Sequence, residues 1–254
     1  MTSTASYRQV ADTIRQRIND GTYPRGSLLP KEELLATELD EHRATVNKAL
    51  NILKSEGLLY VHKGVGTYVH PLPPLLRNAA IRHSRTHRER GGARGSLASE
   101  LEQLGYVMDN QTTIEPGRPP ADVAEVLDVD PESDSVIIRA RRMYAQDWPI
   151  QIVTTYLPRA IAEGTLMAER DPGVGGISSR LEEAGHGQAE IVEDVEARRP
   201  TEEEARFLRM TPDQWVFDVF HMGLTSDGRV VKVNIYVLPT YQWRLRYRYP
   251  IDPA

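Results

Sequence analysis

The sequence predicts an α+β protein: an N-terminal winged helix-turn-helix followed by a larger antiparallel sheet domain with helices on one face. Three observations carry that expectation. Within the first seventy residues, three segments with apolar residues at helical spacing precede a pair of short alternating runs split by glycines. In the C-terminal half a helix–hairpin pattern recurs at an offset of 81 residues. Charge divides the chain as well: residues 1–95 hold 15 Lys and Arg against 9 Asp and Glu, whereas residues 96–254 hold 16 against 27. Such asymmetry brings one end toward a polyanion and leaves the other away from it.

Tyr7 to Asp20 places Val10, Ile14 and Ile18 on one face, with Ala11 beside them, and stops at Gly21. Tyr23-Pro24-Arg25-Gly26 is loop chemistry. Leu28 and Leu29 are expected to be buried, and Pro30 sits where a helix begins without losing a needed N–H. Leu34, Leu35 and Leu39 give the second helix its inner face. Asp40-Glu41 breaks that pattern, and a third helix starts near His42. Val46, Leu50 and Leu53 form its buried side, and Gly57 stops it in a position that favours a left-handed backbone. Leu58 to His62 and Thr67 to Val69 then make a hairpin. Gly64-Val65-Gly66 lacks the third glycine and following helix of a nucleotide fingerprint, so it is read as a wing turn. A partly basic helix N-terminus backed by a two-stranded wing is built to enter a major groove.

Pro71 to Pro74 stiffens the exit from the wing. Arg77, Arg82, Arg85, Arg88, Arg90 and Arg94, with His83 and His87, make residues 71–95 a basic linker, read as a tether near phosphates in preference to a solvated helix. Domains are therefore expected at 1–70 and 96–254. His83 and His87 with Glu89 are thin support for a metal. His42, His62 and His70 are read as surface polar residues, and no metal or cofactor is expected. The chain has no cysteine, which excludes disulfides, a thiol nucleophile and thiolate metal sites. No apolar run reaches the roughly 18 residues of a membrane helix, and Met1 to Tyr7 does not read as a signal peptide, so cytoplasm is the expected location.

In the acidic half, Pro119, Ala124, Leu127, Pro131, Leu157 and Pro158 recur as Pro200, Ala205, Leu208, Pro212, Leu238 and Pro239. Each copy reads as a short helix (121–127; 202–208), a Pro-marked turn and a strand (136–144; 216–225). A further turn (Gln146-Asp147-Trp148-Pro149; Ser226-Asp227-Gly228) leads to a second strand closing on Leu-Pro. Thr201 with Glu204 is a capping-box pattern. Two such units imply one antiparallel sheet with pseudo-two-fold symmetry.

With these residues in place, the head resembles the GntR family of bacterial transcription regulators. Tyr7, Val10-Ala11, Gly21, Gly26, Leu29-Pro30, Glu32, Leu34, Arg43, Thr45-Val46, Ala49-Leu50, Leu53, Glu56-Gly57-Leu58 and Gly64-x-Gly66-Thr67-Tyr68-Val69 carry the match over residues 7–69. The resemblance implies that Arg43, Ala44, Thr45 and Asn47 face the groove, that Lys63 and Gly64 carry the wing to the minor groove or backbone, and that Tyr7 touches phosphate. Three departures stand out. His42 replaces the usual Ser or Thr cap. Asn47 stands where an arginine is frequent, and Asn suits adenine N6/N7. Lys31-Glu32-Glu33 replaces a Ser-Glu-Arg run, putting an acid in a basic position with Lys31 as its compensation.

Residues 96–254 resemble the UTRA effector-binding domain of the HutC branch, which shares a chorismate-lyase-like architecture. Arg141, Pro149-Ile150, Tyr156-Leu157-Pro158, Glu196-Ala197-Arg198, Glu204-Ala205, Leu208, Asp227-Gly228 and Leu238-Pro239 carry it. Members that bind phosphosugars use two arginines, two glutamates and a tyrosine; those positions here read Arg141, Met143, Val153, Lys232 and Leu238. Sequence parity places them on one side of the sheet with Arg139, Gln151, Thr155, Asn234 and Tyr236. The resemblance then implies a pocket for a partly apolar molecule with one anionic or hydrogen-bonding group, in a homodimeric repressor of double-stranded, palindromic operator DNA. The alternative is a lyase-like enzyme domain carrying a DNA-binding head; against it stands the lack of a cysteine, of metal-spaced histidines and of a Ser–His–Asp order.

Overall fold

The computed structural model describes residues 6–79 and 95–249. Three helices open it: α1 (Tyr7–Asn19), α2 (Glu32–Glu38) and α3 (Arg43–Ser55). Ser6 starts α1 with a capping box, its hydroxyl accepting from the Gln9 N–H while the Gln9 side chain reaches back. Strands β1 (Leu59–His62) and β2 (Gly66–Val69) form the antiparallel wing, with Leu59 opposite Val69. Val10, Ile14, Ile18, Leu29, Leu35, Val46, Ala49, Leu50, Leu53, Leu59 and Val69 make a single core. Arg15 forks onto Glu56 at 2.8 and 2.9 Å, tying the middle of α1 to the end of α3.

Two expected burials and one expected exposure are corrected. Leu28 is 53% and Leu34 61% exposed. Leu28 lies in an extended bridge opposite Tyr68, where alternation buries only Leu29, and it covers Gly66 from outside. On the seven-residue α2 the stripe narrows to Leu35, with Ala36 and Leu39 packed beside it. His70, read as surface, is 3% exposed.

The linker reading is corrected at Arg77. Leu75–Asn78 forms β3, paired in parallel with the C-terminal strand β10 (Trp243–Arg246), and Arg77 is 1% exposed. A tether would have left it in solvent; instead Glu193 neutralises it inside the protein. The other linker arginines, His83, His87 and Glu89 lie outside the described residues.

The second part contains α4 (Gly95–Gln103), β4 (Met108–Gly117), α5 (Ala121–Leu127), β5 (Val136–Ala145), β6 (Trp148–Pro158), α6 (Arg159–Ala162) and α7 (Gly176–Glu183). It continues through β7 (Glu190–Arg198), α8 (Glu202–Phe207), β8 (Val216–Leu224) and β9 (Val230–Pro239). One antiparallel sheet runs β4-β5-β6-β9-β8-β7, so a pseudo-dyad falls between β6 and β9. The repeat is longer than its helix–hairpin pattern, because β4 and β7 also correspond. Asp128 and Arg209, again 81 apart, both take the left-handed backbone that ends the repeat helix, at φ 52° and 55°. Thr201 and Glu204 form the expected capping box.

The offset of 81 does not hold through the whole unit, however. Val136 pairs with Pro158 and Val216 with Pro239, so the strands β5 and β8 are offset by 80. The Pro-marked loop is one residue shorter in the second copy, and its hairpin returns that residue. A one-residue slip flips a strand's faces, so the two changes compensate.

Helices α5 and α8 pack on the same face, against Val233, Tyr156 and Val136 and against Val237 and Val216. The expectation of helices on one face holds for this repeat pair only. Ala162 of α6, Met167 and Leu181 of α7 cover Ile137 and Leu157 on the opposite face, because the segment between the copies folds back there. Trp148 and Pro149, expected in a turn, begin β6; Pro149 donates no N–H, and the ladder bulges beside it, between Met143 and Tyr144.

Head and sheet meet at Trp148. Tyr60 of the wing packs edge-on against it at 4.5 Å and His70 at 4.7 Å between centroids. Gln214 Nε2 donates 2.9 Å to the Lys54 carbonyl. Gly57 lies so close to Tyr241 that an added Cβ would stand 2.2 Å from its ring. Burial pushes the His70 pKa from 6.5 to about 4, against the opposing effect of its Leu72 carbonyl contact. Between those values the unfolded chain binds a proton that the fold refuses, so stability drains away as pH falls from 6.5 toward 4. The full shift corresponds to about 3 kcal/mol. Denaturant titrations across that window should show the wild-type midpoint falling more steeply than that of His70→Gln; parallel falls would place the acid sensitivity elsewhere.

Candidate DNA interface and effector face

At the head, α3 presents His42, Arg43, Ala44, Lys48 and Asn51 to solvent, with Thr45 and Asn47 half-buried. Lys63 and Gly64 project at the wing tip, where Gly64 has φ 81°. Tyr7 is 36% exposed at the start of α1, and exposed Lys31 precedes α2. All eight residues expected to contact DNA are thus at least partly exposed to solvent. His42 is indeed the cap of α3, in extended conformation and without a side-chain cap bond.

Sequence reasoning missed how these side chains are held. Glu32 Oε1 accepts 2.8 Å from Asn47 Nδ2, and the Arg43 guanidinium lies 3.0 Å from Glu33 Oε1 and 3.4 Å from Glu32 Oε2. The signal was present in the acidic first turn of α2, but its reach to α3 depends on the crossing of the two helices.

On the sheet, the residues that alternation assigns to one side do share a face, Lys232 and Leu238 of β9 included. Arg139, Arg141 and Met143 of β5 stand opposite Thr155, Val153 and Gln151 of β6, and Thr155 and Val153 stand opposite Asn234 and Tyr236 of β9. Thr155 Oγ1 donates 2.7 Å to Asn234 Oδ1, and Asn234 Nδ2 lies 3.3 Å from Tyr236 Oη. Lys232 Nζ donates 3.0 Å to both Ser178 Oγ and Gln188 Oε1. Gln151 Nε2 lies 2.9 Å from Met143 Sδ.

The two arginines differ in kind. Arg139 is 3% exposed and donates to the carbonyls of Met167, Glu169 and Arg170, so it is occupied in pinning the cover over the sheet. Burial lowers its pKa to about 10, and the neighbouring Arg141 charge adds to that. Arg141 has only a long contact, 3.4 Å to Thr155 Oγ1, and its buried Nε has no partner among the described residues. Among those residues no carboxylate pairs with it, and burial holds its pKa below the ordinary value. A half-buried cation in that state is a place where an anion gains from binding.

Beside this face lies a polar knot that the sequence did not reveal. Arg77 grips both carboxylate oxygens of Glu193, one at 2.8 Å, and its guanidinium sits 5.0 Å above the Tyr236 ring. His221 Nδ1 lies 2.8 Å from Glu193 Oε1, and Tyr247 Oη donates 3.0 Å to Oε2. Burial works against the guanidinium charge, but the Glu193 bond outweighs it and holds the Arg77 pKa above its ordinary value.

Among the described residues, no helix is long and apolar enough to cross a membrane, and no three His, Asp or Glu side chains are grouped to hold a metal ion. A winged helix-turn-helix followed by a six-stranded sheet with a cationic, partly apolar face defines a two-domain DNA-binding regulator with a sensor domain. Residues 6–69 match the bacterial regulatory proteins of the gntR family, and residues 103–242 match the UTRA domain. The chain belongs to the GntR family of transcriptional regulators, in the group that carries UTRA as its effector-binding domain. An uncharacterized HTH-type transcriptional regulator of Streptomyces coelicolor is 29% identical, covering 96% of this chain and 93% of its own length. The mannosyl-D-glycerate transport/metabolism system repressor of Escherichia coli is 25% identical, covering 90% of this chain and 89% of its own. The histidine utilization repressor of Pseudomonas putida is 41% identical over 63 residues, a quarter of each chain. Among solved structures, PhnF from Mycobacterium smegmatis shares the fold, with TM-score 0.58 at 18% identity over 96% of this chain and 99% of that one.

The knot has a direct thermodynamic consequence. Arg77→Met should cost roughly 3–5 kcal/mol by leaving Glu193 buried without its cation, whereas Arg77→Met with Glu193→Leu should recover much of that loss. Chemical denaturation measures both; equal losses in the single and double variants would mean that packing, and not charge, is what Arg77 contributes.

Proposed function

We propose that this protein is a non-enzymatic repressor that acts in the cytoplasm, binds a palindromic operator as a homodimer and changes its DNA affinity when a small molecule occupies the sheet face. Two-fold pairing matches the symmetry of a palindromic site. Repressors among the relatives support the sign of regulation. Arg43, Ala44, Thr45 and Asn47 enter the major groove, Lys63 and Gly64 bring the wing to the backbone or minor groove, and Tyr7 and Lys31 meet phosphates.

The observation that carries the effector half is Arg141, a cation with a buried Nε and no carboxylate beside it among the described residues. Met143, Val153 and Tyr236 flank it on the same face, with Gln151, Thr155 and Asn234 offering hydrogen bonds. Arg139 and Lys232 are held by their own partners and frame the site. This composition suits an apolar body bearing a single anionic group better than a polyhydroxylated phosphate.

Selecting duplexes from a random library with the purified protein gives the operator, and repeating the binding with small carboxylates gives the response. Arg43→Ala should weaken operator binding by roughly 1–3 kcal/mol and relax one base pair per half-site; equal losses on operator and random DNA would assign Arg43 to phosphate. Arg141→Ala should abolish the ligand response while leaving operator affinity in place, and an unchanged response would move the effector site off this face.

A further inference from the structure

Arg43 carries contacts that reading DNA does not by itself require. Its side chain is 65% exposed, yet α2 engages it from one side: Nη1 lies 3.0 Å from Glu33 Oε1 and Nε 3.4 Å from Glu32 Oε2. Glu32 also holds Asn47, whose Oδ1 in turn accepts from Asn51 Nδ2 at 3.2 Å. One cation thus faces two carboxylates at the point where a polyanion would arrive. Glu33 is the outer of the two, with its side chain 58% exposed against 27% for Glu32.

We propose that Glu33 is a specificity-determining residue of this head: it occupies Arg43 against phosphate, so that the arginine engages a base edge but not the backbone of random DNA. The inference rests on the reading of residues 6–69 as a DNA-binding head. Binding to random duplex is phosphate attraction coupled to counterion release. A carboxylate competes with phosphate for the same guanidinium protons on equal chemical terms, and its own charge repels the backbone. A guanine edge is a different partner. It offers two acceptors, O6 and N7, and no net charge for Glu33 to repel. Arginine has five N–H donors, and the contacts to Glu32 and Glu33 use Nε and Nη1, leaving both Nη2 protons and one on Nη1 to form a fork. The same carboxylates therefore aim Arg43 at a guanine while withholding it from phosphate. Glu33 positions and does not itself read.

The test uses the full-length protein, the duplex it enriches from a random library, and a scrambled duplex of the same composition. Affinities are measured over a range of salt for the wild type, Glu33→Gln, Arg43→Ala and the double variant. Glu33→Gln should bind the scrambled duplex roughly tenfold tighter near ~0.1 M salt, with a log–log salt slope steeper by about one. The enriched duplex should gain less than about threefold, so the specificity ratio falls. In the Arg43→Ala background the gain on scrambled DNA should shrink, because Glu33 then has no arginine to withhold. Equal gains on both duplexes, equal gains in both backgrounds, or no gain at all would each overturn the proposal. A wild type that enriches no sequence would overturn the reading of the head itself, and the proposal with it.

Discussion

The Arg77–Glu193 pair is the constraint on which the arrangement of this protein depends. Four parts of the chain converge there: the strand leaving the head, the edge strand β7, the C-terminal segment through Tyr247, and the polar sheet face through His221 and Tyr236. A buried pair is weak evidence of net stability, because desolvating two ions offsets much of their attraction. Its effect is on uniqueness. A packing of β3 that withdrew Arg77 would leave the guanidinium and the buried Glu193 carboxylate without each other's charge, which costs several kcal/mol. The parallel pairing of β3 with β10 inherits that discrimination, and Trp243 Nε1 carries it onward with a 2.8 Å bond to the Ile150 carbonyl at the bulge.

That bulge matters for the sheet face. Along β5 and β6 the alternation assigns every second residue to the polar side, and an uncompensated irregularity would turn the face over. The bulge beside Pro149 lies beyond the stretch that carries Arg139 and Arg141, so Thr155 and Val153 stay in register with them. Along β8 the second copy of the repeat corrects its own one-residue deficit before β9 begins. Both devices preserve one outcome: Arg139 spends its charge on three carbonyls, while Arg141 two residues along has no carboxylate beside it among the described residues. Identical residues on one strand thus acquire opposite tasks from what the covering segment brings to each.

Periodicity made much of this legible. The head helices, the wing, the repeat and the common face of Arg139, Arg141, Met143, Gln151, Val153, Thr155, Lys232, Asn234 and Tyr236 all follow from spacings of 3.6 and 2. What escaped has a common cause. Arg77 lies more than a hundred residues from Glu193 and His221, and none of the three belongs to a periodic pattern, so only tertiary proximity reveals the knot. The same holds for Glu33 and Arg43, ten positions apart on different helices. Leu28, Leu34 and His70 depart from expectation because residue type and spacing predict burial on average, whereas the bridge at Leu28, the short α2 and the aromatic junction decide it locally.

The junction also bears on how a sheet can speak to a head. The hairpin of β5 and β6 carries six of the nine face residues and ends at Trp148, against which Tyr60 and His70 of the head are packed. Both ends of that hairpin are therefore fixed to something: the polar face at one, the wing at the other. A ligand shifts DNA affinity only by as much as it prefers one arrangement of the two domains over another. Trp148 packed on the wing is a contact that such an arrangement makes or loses as a unit, since Gly57 is already pressed against Tyr241 and leaves the head little room to slide. A rigid hairpin between two tightly packed ends favours alternatives that differ in whole contacts over graded ones, because close-packed interfaces resist continuous deformation.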